Sequence, residues 1–243
     1  MATSMGTGTI IPTATRTERM QGPALLGLLW LASPALPVGG FSYSEALEAA
    51  VDAGVVHDET TAGDWLSDQL HLGLARAELP LLAAAHRAWT AHDPQRLAAL
   101  NAWWLSTRET QELRAQTEQM GRSMLDALRQ RTPGDPRIAT LASLAPAWPI
   151  AFALGAVQTG ADERHSTLAF GFSWAENQVQ AAIKALPLGQ SAGQRILARL
   201  AAELAPLAEA AIDMDDEERL AFTPLLAIRS AQHETQYSRL FRS

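Results

Sequence analysis

Six histidines, a single lysine and one dense run of carboxylates carry most of the chemistry open to this 243-residue chain. Their spacing argues against a reactive centre. His57, His71, His86, His92, His165 and His233 include no pair at i, i+4 and no His-Glu-x-x-His motif, the arrangements that set metal ligands on one helix face. Asp213-Met-Asp-Asp-Glu-Glu218 gathers carboxylates without the glycine and alternating oxygen ligands of a calcium loop. Carboxylates complement the positive end of a helix macrodipole, so that run is read as a solvated helix start. Gly189-Gln-Ser-Ala-Gly-Gln-Arg195 fails as a phosphate loop: its glycines are too close together, Gln194-Arg195 replace Lys and Ser/Thr, and a helix pattern precedes it. With no cysteine, thiolate catalysis, disulfides and cysteine-ligated metal are excluded, and no G-x-S-x-G elbow occurs.

Two features survive. Lys184 is the sole lysine among 19 cationic residues and stands in the otherwise uncharged stretch between Asn177 and Arg195. A cation there either snorkels to the surface or meets an anionic partner. The C-terminal run places Tyr237, Leu240 and Phe241 at i, i+3, i+4, flanked by Arg239 and Arg242. Aromatic and arginine side chains dominate protein interfaces, so this face docks either on the protein's own body or on another protein.

These groups must be positioned by the rest of the chain. Apolar residues make up 47% and charged residues 19%, a globular balance. The net charge of −7 argues against nucleic acid as a main partner. No apolar run approaches the roughly 20 residues needed to span a bilayer. Arg16 and Arg19 ahead of Ala24–Ala32 mimic a signal peptide, but the run is read as a short core helix behind a Thr- and Gly-rich arm. Residues 1–21 are expected to be disordered and 22–243 to form one helical domain.

Helix punctuation follows. Ser42 and Glu45 read as a capping box after Pro34, Pro37 and Gly39-Gly40. Asp58–Thr61 cap a helix bearing Trp65, Leu66, Leu70 and Leu74, and Pro80 opens the next. Asp93-Pro94 repeats the cap-then-proline device. The longest candidate spans about residues 107–130, with Leu113, Thr117, Met120, Met124 and Leu128 inward and Glu112 and its charged neighbours mostly outward. Thr132–Pro136 breaks it as a possible subdomain joint. Further helices start at Pro149, span about 166–186, follow Ser191 as cap, and run from Pro224 toward Phe241. No period-2 strand is visible. The expected fold is all-α: one bundle-like array of about ten helices with short connections.

Four segments together are similar to the UreF family of urease accessory proteins: Leu31–Glu48, Arg108–Gly121, Trp174–Leu197 and Tyr237–Ser243. The third carries Asn177, Lys184, Pro187-Leu-Gly-Gln190 and Gly193-Gln-Arg195. The first residues and the stretch 131–148 lie outside the likeness. The resemblance implies a cytoplasmic, helical, non-catalytic homodimer with no cofactor of its own and no membrane or nucleic-acid partner. It also implies a complex with UreD (UreH) and the GTPase UreG that delivers nickel to apo-urease. Lys184, Gln190 and Arg195 would then belong to a UreG-facing surface. Tyr237, Arg239, Leu240, Phe241, Arg242 and Ser243 would dock with UreD. Pro37, Gly39, Gly40, Phe41, Tyr43 and Glu45 would form a structural turn near the dimer contact. Two rival readings are a helical enzyme handling a cofactor or small molecule, and a chaperone that itself binds nickel.

Overall fold

The structure, a computed structural model, describes residues 20–242. Apart from its last two residues, the arm read as disordered lies outside them, as does Ser243. The described chain is an all-α array: α1 (Gly22–Leu31), α2 (Leu47–Asp52), α3 (Glu59–Gln69), α4 (Leu79–Thr90), α5 (Pro94–Ser106), α6 (Gln111–Arg131), α7 (Arg137–Ser143), α8 (Trp148–Thr159), α9 (Glu163–Ala185), α10 (Gln190–Ile212) and α11 (Pro224–His233). Short 3-10 turns at Gly40–Ser42 and Asp216–Glu218 complete it.

α8 forms the centre. Ile150 through Leu154 and Ala156 are wholly buried, as a helix apolar on every side must be. Trp148, Phe152 and Phe170 of α9 form an aromatic cluster with ring centroids 5.0–6.0 Å apart, two of the three contacts edge-on. α6 crosses close by: a Cβ on Gly121 would stand 1.9 Å from the Pro146 carbonyl oxygen, so only glycine fits there. Two buried indole N–H groups find partners. Trp89 Nε1 donates to the Ile150 carbonyl (3.0 Å) and Trp104 Nε1 to Thr117 Oγ1 (3.0 Å).

The helix starts marked by aspartate form as the sequence suggests. Asp58 and Thr61 make a reciprocal capping box, and Asp93 accepts the Arg96 N–H at 2.9 Å. Four expectations are corrected. Pro80 does not begin a separate helix, because α3 runs into α4 through a π-helical segment, Leu70–Glu78. In a regular helix the proline's missing N–H would leave the Arg76 carbonyl unpaired. Here that oxygen accepts the N–H of Leu220 at 3.0 Å. Ser191 lies inside the first turn of α10, whose N-cap is Gly189. Ser42 and Glu45 make no capping box: α2 starts at Leu47, and its N-cap Ala46 has a left-handed backbone. Finally, α11 stops at His233, so Tyr237, Leu240 and Phe241 share no helical face.

The break at Thr132–Pro136 is pinned. Asp135 accepts from Arg137 Nη2 (2.7 Å) and from Gln158 Nε2 of α8 (2.9 Å). The Arg137 contact pulls the Asp135 carboxyl down to about 2. One hydrophobic cluster extends from Ala24 to Phe241.

Candidate partner-binding site

The turn after α1, the end of α9 and the C-terminal tail converge on one surface hollow lined by Phe41, Ser42, Lys184, Leu240, Phe241 and Arg242. Each component has a local cause. Gly39 adopts φ +81°, which reverses the chain after Pro37. Gly40 lies under Asn177, whose Nδ2 would stand 2.9 Å from a Cβ at that position. The turn therefore pushes Phe41 outward, 56% exposed, while Tyr43 two residues on is buried. Lys184 ends α9, where a cation suits the helix's negative end. Its Nζ lies 5.7 Å from the Phe41 ring centroid and 5.9 Å from that of Phe241. Both distances are within reach of a cation–π attraction.

The tail folds back as a strap. Phe241 is buried, while Tyr237 is fully exposed and Leu240 is 71% exposed. Glu48 of α2 anchors the strap through its carboxylate, which accepts the backbone N–H groups of Leu240 (2.7 Å) and Phe241 (2.9 Å). Arg239 Nη1 donates to Glu112 Oε1 of α6 (2.8 Å), and the Arg242 N–H donates to the Ser42 carbonyl (2.8 Å). The question left open by the sequence, own body or partner, divides within the tail: Phe241 packs on the body, while Tyr237 and Leu240 face outward.

Glu45 lies behind the turn at φ +49°, followed by Ala46 at φ +65°, two consecutive left-handed non-glycine residues. That strain is held by the Glu45 carboxylate, which accepts from Gln116 Nε2 (2.8 Å) and Trp174 Nε1 (2.9 Å). Glu45 shares a cavity of about 80 Å³ with Glu78 and Arg108. Burial, together with the nearby Glu45 charge, pushes the Glu78 carboxyl up to about 8. Burial also raises Glu45 and lowers Arg108, whose guanidinium stacks 3.5 Å from the Trp104 ring centroid. Sites for drug-sized ligands measure roughly 300–1,000 Å³, so this cavity holds a few waters at most.

The remaining sequence candidates lie outside the hollow. Pro37 borders a separate surface depression with Trp30 and Arg131. Gln190 opens α10 and is exposed, and Arg195 is engaged by Glu59 of α3 in a bidentate pair at 2.7 Å. Sequence reading missed Glu48, Glu112 and His233 as a unit. Glu112 falls among solvated charges in the helix pattern yet is buried, and His233 was a lone residue beside Glu234. No periodic signal joins residues up to 185 positions apart. Among the described residues no three His, Asp or Glu side chains are placed to hold a metal ion, and no helix is long and apolar enough to cross a membrane.

The geometry is that of an all-helical protein presenting a basic and aromatic surface built from three distant segments. The family model for UreF matches residues 56–201. The chain is 58% identical over 231 residues to the urease accessory protein UreF of Polaromonas sp., covering 95% of this chain and 99% of that protein. It is 60% identical to that of Methylibium petroleiphilum (90% and 94% covered) and 47% identical to that of Cupriavidus necator (90% and 97% covered). The chain belongs to the UreF family of urease accessory proteins.

Proposed function

We propose that this protein is a non-catalytic scaffold in urease maturation, working in the cytoplasm as a homodimer with UreD and the GTPase UreG while nickel is inserted into apo-urease. The reading rests on family membership and on the composite hollow. The observation that carries it is the meeting of Lys184, Phe41 and the tail on one exposed surface. A scaffold needs no nucleophile; it needs surfaces whose affinity differs between partner states. Lys184 makes no ion pair among the described residues, so its charge is available to an acidic partner surface. Tyr237 and Leu240 offer apolar area that the fold itself does not cover.

The test separates the two contacts. Lys184→Ala should weaken capture of UreG about tenfold, corresponding to about 1.4 kcal/mol. The pair Tyr237→Ala and Leu240→Ala should abolish UreD capture while leaving the melting temperature unchanged. Unaltered capture by both variants, with full urease activation, would overturn the reading.

A further inference from the structure

α11 is built inside out. Its two buried residues, Ser230 and His233, are polar. Its exposed residues, Pro224, Leu225, Ile228, Ala231 and Gln232, carry no charge, and all but the last are apolar. A helix that packs only for its own fold does the reverse and turns its apolar stripe inward. Polar contacts hold α11 on the body: Ser230 Oγ lies 2.7 Å from Thr110 Oγ1, and His233 sits against Glu48 and Glu112. Leu226 packs against the core, while Leu225 and Ile228, turned away from it, are about half exposed.

The apolar face continues past both ends of the helix. The Leu220 N–H on the Arg76 carbonyl (3.0 Å) lays the chain before α11 along the π-helical segment, and a Cβ on Gly73 would stand 3.8 Å from Thr223 Cγ2. Those contacts set exposed Phe222 and Leu72 beside the start of α11. At the other end the Thr235 and Gln236 N–H groups donate to the Gln232 and His233 carbonyls (3.2 and 3.0 Å). The chain turns at once there, so exposed Tyr237 stands next to the last turn. A ten-residue helix is about 15 Å long, so the strip from Phe222 to Tyr237 fits within one interface.

Area decides what the strip is for. Tyr237 and Leu240 are two side chains, whereas a specific interface covers about 800 Å² on each partner, roughly 20–30 residues. A protein that takes them must also cover the surface beside them. On one side of the tail lies a polar groove with Gln111, Gln119, Arg122 and Glu234; next to Tyr237 lies the uncharged face of α11. Covering the groove means desolvating charges, whereas covering the apolar face is favourable in itself. We propose that Leu225 and Ile228, with Phe222 and Leu72 beside them, form the docking face for the same partner that takes Tyr237 and Leu240, and that this partner offers an apolar groove in which α11 lies. Leu225 and Ile228 have the i, i+3 spacing of helix anchors in such a groove. In the scaffold reading, on which this assignment rests, that partner is UreD.

Capture of co-expressed UreD by the full chain tests it. The pair Leu225→Ser and Ile228→Ser should weaken capture about tenfold or more. Circular dichroism and melting temperature should match the parent, since both side chains are exposed. Ile228→Leu, which keeps the apolar area, should capture UreD normally, and Phe222→Ser, an independent variant, should weaken capture as well. Normal capture by both serine variants, with UreD still lost by the Tyr237→Ala and Leu240→Ala pair, would overturn the α11 face and leave the tail reading standing. Loss of UreD in the serine variants with normal capture by the tail pair would support the face and overturn the tail reading. A parent protein that captures no UreD would overturn both. Conversion of a dimer to a monomer by the serine pair in light scattering would assign the face to a second copy. Stronger UreD capture on deletion of residues 1–19 would assign it to the N-terminal arm. Either result overturns UreD as the occupant.

Discussion

The centre of the molecule and its C-terminal strap are held in place by opposite means. α8 is enclosed by apolar neighbours on every side, and its stability comes from area removed from water and from close packing. The strap inserts one aromatic ring, Phe241, and otherwise depends on backbone N–H groups, an arginine and an imidazole meeting two carboxylates. Packing of the first kind does not respond to pH and tolerates no voids. Ionic docking of the second kind is conditional, because the desolvation of each charge is offset only while its partner stays in place. The contrast suits the proposed role: a packed body that carries an exposed, polar-anchored segment.

Substitutions can sharpen that contrast. The largest expected loss lies in the aromatic cluster, where Phe152→Ala should cost about 3–5 kcal/mol, read from urea or thermal unfolding, with little dependence on pH. Glu48→Ala should cost about 3 kcal/mol near neutral pH by leaving His233 and two tail amides without their acceptor. A Glu48→Ala loss no larger than about 0.5 kcal/mol, that of an exposed side chain, would remove the case for ionic docking of the strap.

A subtler effect comes from the cavity behind the turn. The Glu78 carboxyl is raised from its ordinary 4.5 to about 8, so the folded state holds a proton that the unfolded chain releases. That contribution is complete below about pH 4.5 and is lost as pH climbs through about 8. Glu78→Gln should flatten this decline and make the protein more stable than the parent at alkaline pH, as measured by melting temperature across the range. The smallest stability change belongs to the exposed side chains: Tyr237→Ala and Lys184→Ala should each stay within about 0.5 kcal/mol of the parent.

Much of the fold was legible in the sequence because the signals were local. Asp58, Asp93 and Pro149 marked helix boundaries through capping and backbone angles that act within a few residues. Lys184 and the tail stood out through composition alone. What failed depended on distance. Pro80 looked like a helix start because nothing nearby reveals that Leu220 satisfies the Arg76 carbonyl. The apolar spacing at Tyr237, Leu240 and Phe241 mimicked a helix. Glu48 holds Leu240 and Phe241 in a fold-back conformation, and that contact bridges nearly the whole chain. Glu112 had the pattern of a surface charge, and only the arrival of His233 and Arg239 explains its burial.

The most direct test of the scaffold account is urease activation in cells co-expressing the urease subunits, UreD, UreG and this protein. The comparison sets the parent against a Lys184→Ala, Tyr237→Ala, Leu240→Ala triple variant of verified fold and abundance. The account predicts that the variant supports activation no better than omission of the protein does. Full activation by the triple variant would contradict it.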